Sequence, residues 1–225
     1  MSILFKTWGS SSGNNSALLV VPATSGSHRR WEGLAQHLSD EFKVFLLDSE
    51  LPPVEIVTEY AAEVVNKLTE LGVRRITVLG FSGGGSLALA LAVVSPKLIR
   101  RVILIDPTTR IAPGFLSRVI DRLEEFLPLG LPLRRISKAF DARSTLHRIH
   151  CPVLVLNTKT VDEFHRYQAE LIAQRIPNAW LKGLNETEFD KTGTLSSELA
   201  MLIREFVQVP GKRPQKNLPI EVANS

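Results

Sequence analysis

An α/β domain, with a mostly parallel sheet covered by helices on both faces, is predicted by three features of this 225-residue chain. Apolar runs of strand length alternate with longer stretches of helical period, as parallel strands joined by crossover helices require. A G-x-S-x-G sequence, Gly80-Phe81-Ser82-Gly83-Gly84, separates a strand-like run, Ile76 to Leu79, from a helix-like run, Leu87 to Val94. A hydrophobic content of 44% fills one sizeable core rather than two.

The elements follow in order. Ile3 to Thr7 reads as an edge strand, Ser10 to Ser16 as a turn-rich link and Ala17 to Val21 as a buried strand. Trp31, Leu34, Ala35 and Leu38 recur at i, i+3, i+4 and i+7, the apolar face of a helix that starts near Ser27. Phe42 to Leu47 is the next strand. Ile56, Tyr60, Val64, Leu68 and Leu71 mark one face of a helix closed by Gly72. Arg75 to Leu79 leads into the glycine-serine turn, and the helix behind it is apolar all round, as a centrally packed helix is. Val102 to Ile105 is a strand ending at Asp106-Pro107. Residues 108–150 have helical period and no strand, broken at Pro113-Gly114 and between Pro128 and Pro132. A strand covers Pro152 to Leu156, a helix Val161 to Ile176 and a short strand Ala179 to Leu181. Leu195, Leu199, Leu202, Ile203 and Phe206 mark a last helix, so the domain spans 1–208, and the Pro-rich, charged 209–225 reads as a disordered tail.

Composition excludes several classes of function. No run reaches the 18 to 20 apolar residues of a membrane span, because Ser95-Pro96-Lys97 interrupts the longest. The amino terminus has no secretion-signal pattern, which makes a cytoplasmic location the expectation. The lone Cys151, inside an apolar run, reads as a buried structural thiol. No Cys/His cluster has metal-ligand spacing, and no metal or cofactor is expected. The net charge of +4 does not call for nucleic acid. Gly80 to Gly85 lacks both the G-x-G-x-x-G spacing of a dinucleotide loop and the Lys-Ser/Thr of a phosphate loop.

Ser82 is the first candidate for a chemical role. A serine at the apex of a sharp strand-to-helix turn has its hydroxyl exposed above a sheet edge, and the flanking glycines prevent collisions across the turn. With Asp141 to Leu156 and Ala169 to Ala179 in the expected order, the chain from Leu18 to Phe206 resembles the α/β-hydrolase fold family, with 108–150 in place of its helical cap. The resemblance implies a nucleophile at Ser82 and an oxyanion hole formed by the amides of Thr24 and Gly83. Pro22-Ala23 stands where the family usually has His-Gly. The family acid falls at Asp162 or, by a less common arrangement, at Asp106.

The family histidine is missing. Lys182-Gly183-Leu184-Asn185-Glu186 occupies its loop, and a carboxylate of low pKa is a poor substitute for an imidazole as proton acceptor. His28, close in the chain to the oxyanion loop, is the alternative base. His37, His147 and His150 read as solvated or structural, and His165 as a helix-face partner of Asp162. The cap segment combines apolar residues such as Phe115, Val119, Leu123 and Phe126, which suit a small-molecule ester or acyl ligand, with eight Arg/Lys against four acids, which suit a carboxylate or phosphate head group on it. Two functions follow: a serine esterase or related acyl hydrolase, and a hydrolase-like protein that binds a ligand or partner without turnover.

Overall fold

Alternation within each strand divides the core into two layers. Ala17, Leu19 and Val21 join one buried cluster, while Leu18 and Val20, between them, join the other. The same period of two recurs in Val44 to Leu47 and in Val102 to Ile105, as expected of strands buried on both faces. The computed structural model describes residues 3–9, 16–23, 28–52, 56–108, 145–158, 161–184 and 197–208. The predicted tail, and the predicted cap apart from Thr108 and residues 145–150, lie outside these.

The described strands are β1 (Phe5–Trp8), β2 (Ser16–Val21), β3 (Phe42–Leu47), β4 (Ile76–Phe81), β5 (Ile99–Ile105), β6 (Val153–Thr158) and β7 (Ala179–Leu184). They form one sheet in the order β1-β3-β2-β4-β5-β6-β7. Only β1 is antiparallel, and it closes the edge beside β3. The described helices are α1 (His28–Leu38), α2 (Val57–Glu70), α3 (Gly83–Val94), α4 (Glu163–Arg175) and α5 (Ser197–Gln208), with a 3-10 turn at Leu146–Arg148. Buried residues of α2, α3 and α4 share one cluster and those of α1 and α5 the other, so the sheet is covered on both faces. No described helix is long and apolar enough to cross a membrane.

Trp31, Leu34, Ala35 and Leu38 are all buried, as their spacing predicts. α2 differs. Its buried stripe is Val57, Tyr60, Ala61, Val64 and Leu68, whereas Ile56 and Leu71 are 41% and 45% exposed. Both fall outside the helix proper: Ile56 is the N-cap and Leu71 the C-cap, where the chain turns away from the sheet. Gly72, at φ +78°, permits that turn, and the amides of Leu71, Gly72 and Val73 bond the carbonyls of Lys67, Thr69 and Leu68.

β5 starts earlier than predicted, and for a packing reason. Ile76 pairs with Ile99 but Thr77 pairs with Arg101, so Arg100 is an extra residue, a β-bulge. Ile99 and Val102, three residues apart, thereby reach the same core cluster. Without the bulge they would face opposite sides.

The α2 boundary gives a stability test. Leu68→Ala should lower unfolding free energy by about 2–5 kcal/mol, the usual cost of emptying a buried leucine site. Leu71→Ala should change it by no more than about 0.5 kcal/mol. Urea denaturation of both variants checks the assignment.

Candidate active site

Ser82 sits between the last residue of β4 and the first of α3 with φ 48° and ψ −117°. A non-glycine residue there costs on the order of 1–3 kcal/mol, so the surroundings must enforce it. They do so from three sides. A β-carbon at Gly80 would lie 2.8 Å from Gly84 O and 2.9 Å from Ala88 Cβ, and one at Gly84 would run into the carbonyl oxygens of Val21 and Pro22. The two glycines let the first turn of α3 press onto β4 and the end of β2. The Ser82 amide donates to Ile105 O at 2.9 Å, and Ser82 O accepts from Gly85 N at 2.9 Å.

Asp106 is the other described non-glycine residue with positive φ, at 43°. Phe81 and Ile105 are paired across β4 and β5, so Ser82 and Asp106 each come one residue after that pair and lie side by side at the sheet's C-terminal edge. The half-buried Asp106 carboxylate accepts from Thr158 N at 2.8 Å and from Thr158 Oγ1 at 2.7 Å. Burial pushes its pKa above the ordinary aspartate value, against the two Thr158 hydrogen bonds and the nearby His165. The loop beyond is fixed to the same helix: Ser86 Oγ donates to Thr108 O at 2.8 Å inside the core.

Asp162 is exposed and caps α4, accepting from His165 N at 2.8 Å and contacting His165 Nδ1 at 2.7 Å. The His165 backbone amide first, then its ring, holds the carboxyl below the usual aspartate range. Both Asp162 and His165 act electrostatically on Asp106, so these groups cluster beyond β5 and β6. Cys151 lies at the other end of β6, where burial pushes its thiol up to about 11. Among the described residues no group of three or more His, Cys, Asp or Glu is arranged to hold a metal.

A family profile described as the alpha/beta hydrolase fold matches residues 16–180. The chain belongs to this α/β hydrolase fold family. Among solved structures, an α/β hydrolase enzyme from a deep-sea metagenome library superposes with a TM-score of 0.70 at 16% identity, covering 95% of this chain and 97% of that one. An enol-lactonase from Burkholderia xenovorans gives 0.66 at 19% identity, covering 91% and 96%. An esterase from Rhodococcus sp. gives 0.67 at 15% identity, covering 91% and 94%. Likeness at these identities is one of fold. Uncharacterized proteins of Mycobacterium tuberculosis and Mycobacterium bovis are 29% identical over 101 residues, 42% of this chain. That match spans only 30% of the length of those curated relatives.

Within this α/β hydrolase fold, Ser82, Gly83 and Asp106 come together, while Asp162 stands on the neighbouring helix end bound to His165. Thr24 and Glu186 lie outside the described residues, as does the side chain of His28, the first residue of α1. Sequence reasoning missed Thr158 as the partner of Asp106. A signal existed, since Thr158 ends the strand beside the one that delivers Asp106.

Two measurements follow. Ser82→Gly should stabilise the fold by about 1 kcal/mol, because glycine occupies this backbone region without strain, whereas Ser82→Ala should stay near wild type. The two carboxylates should show opposite pH signs. Asp162, depressed when folded, stabilises above the unfolded aspartate pKa and loses that effect as pH falls through its folded value, so the deficit of Asp162→Ala should shrink in acid. Asp106, raised when folded, favours the fold below the unfolded value and loses that contribution as pH rises through its folded pKa. Asp106→Asn, which can keep both bonds to Thr158, should therefore gain stability relative to wild type as pH rises. Denaturation midpoints across a pH series read both.

Proposed function

We propose that this protein is a serine acyl hydrolase of small or acyl-chain esters, with Ser82 as nucleophile and a turnover limited by Glu186. The observation that carries the reading is the enforced turn at Ser82 beside Asp106, since a strained residue at a strand end marks a site where position matters more than stability. Ser82 Oγ gives its proton to the base as it attacks the ester carbonyl carbon, the carbonyl electron pair moves to oxygen, and collapse of the intermediate breaks the ester C–O bond and expels the alkoxide, which takes up that proton to leave as the alcohol. Water then releases the acid from the acyl-enzyme. Gly83 is the first residue of α3, so its amide belongs to the N-terminal set that has no partner within the helix. With the amide of Thr24 it would stabilise the oxyanion.

Of the two acids, Asp106 is favoured. Its carboxylate is partly buried and aimed by Thr158, whereas Asp162 is exposed and serves the end of α4. The base is the weak point. His28 opens the helix after β2, and His165, held through Nδ1 by Asp162, lies in the first turn of the helix after β6. Glutamate at position 186 also favours a second reading, a protein that binds an acyl ligand without turning it over.

Hydrolysis of p-nitrophenyl acetate separates the two. Losing one triad member leaves about 10³- to 10⁴-fold over water in enzymes where this is measured, so wild type should be slow. Glu186→His should raise the rate by at least roughly ten-fold, and Ser82→Ala should abolish activity in both backgrounds. A wild-type rate insensitive to Ser82→Ala, with no gain from Glu186→His, leaves only the binding function. Vigorous wild-type activity lost in His28→Ala or His165→Ala identifies the base.

A further inference from the structure

The edge of the sheet opposite Ser82 holds a second feature. Around the N-terminal ends of β2, β3, β4 and β5 lies a cleft of about 630 Å³. Its walls carry Lys43, Arg74, Arg75, Arg100 and Arg101, and the described residues lining it include no carboxylate. Three separate devices bring these cations together. The Gly72 turn after α2 delivers Arg74 and Arg75, β3 delivers Lys43, and the β5 bulge places Arg100 and Arg101 in succession between two core residues. A bulge re-aims side chains while the strand continues, and here it holds both arginines out of the core. The carbonyls of Lys67, Leu68 and Thr69 at the end of α2 are already taken by backbone amides, so the negative end of that helix is muted where it meets the cleft.

Like charges gathered in a concavity repel one another, and the repulsion is relieved when an anion enters. Arg101 registers this environment: burial first, and then the neighbouring Arg100, push its guanidinium below the ordinary value.

We propose that this cleft is a binding site for a small, multiply phosphorylated anion, separate from Ser82. Guanidinium groups present paired donors that match phosphate oxygens. The volume falls in the range of small-molecule sites, roughly 300–1,000 Å³. The cations converge on one concavity instead of running as a stripe along the surface, which favours a compact ligand over a nucleic-acid strand.

Calorimetric titration of the full chain with sodium tripolyphosphate at low salt tests the site. The expected result is one-site binding that weakens as salt rises, is unchanged in Ser82→Ala, and becomes at least roughly ten-fold weaker in Arg74→Glu/Arg100→Glu. Arg74 and Arg100 are exposed, so the double variant should fold; should circular dichroism show otherwise, Arg75→Gln must still weaken binding measurably. Tripolyphosphate that displaces the protein from vesicles containing phosphatidylinositol bisphosphate supports the site with a lipid headgroup as the source of the phosphates. Tripolyphosphate affinity with no binding to such vesicles supports the site with a soluble ligand as the source. Absence of tripolyphosphate binding, equal binding by the folded double variant, or tighter binding of duplex DNA that tripolyphosphate does not displace would overturn the proposal.

Discussion

Everything at the C-terminal edge of the sheet depends on a steric constraint, the absence of space between the first turn of α3 and the ends of β2 and β4. Gly84 faces the carbonyls of Val21 and Pro22 at a range no β-carbon could occupy, and Gly80 faces the backbone of Gly84 and Gly85. Once α3 is seated this closely, Ser82 must turn through positive φ to connect it to β4. The same helix turn anchors the exit of β5. A β-carbon at Gly85 would come within 3.3 Å of Pro107 Cβ, and Ser86 bonds Thr108 O, which places Asp106 beside Ser82. Nucleophile candidate and acid candidate are thus set by one piece of packing, not by a direct bond between them.

The bulge in β5 links the two ends of the molecule. Because Arg100 is an extra residue near the start of the strand, Val102, Leu104 and Ile103, Ile105 enter the sheet in the phase that buries all four. The same phase carries Ile105 to its pairing with Phe81 and delivers Asp106 one residue later. A register slip of one residue exchanges the two faces of a strand. The irregularity that presents two arginines at one edge therefore also keeps Asp106 in place at the other.

The fold was legible because nearly every strand here is a continuous apolar run between turn residues, and because α1 and α5 carry regular apolar stripes. What the sequence blurred were edges governed by tertiary contact. Ile56 and Leu71 fit the period of α2 yet sit on its caps, and the last strand extends to Leu184 because it pairs with Thr158 at the end of β6. Arg100 and Arg101 concealed the start of β5, since a bulge leaves no periodic trace. At the site, Ser82 was readable from its glycines, whose role is local. The resemblance put Asp162 ahead of Asp106, because the hydrogen bond from Thr158 to Asp106 spans 52 residues and leaves no local sequence trace.

The preference for Asp106 bears on what a glutamate at position 186 can do. Leu184, the last described residue of β7, pairs with Thr158, the residue that holds Asp106. An imidazole in that neighbourhood would have its protonated form stabilised by the Asp106 carboxylate, which is what a base needs as it takes a proton. A glutamate gains nothing from the same charge. Two carboxylates brought together repel, so a glutamate is unsuited to the base's role beside an aspartate. The electrostatics around Asp106 suit a cationic neighbour, while the packing that positions Ser82 and Asp106 operates whether or not one is present. The turn at Ser82 is therefore independent of what stands at position 186, because the constraint that maintains it is the seating of α3 on the sheet.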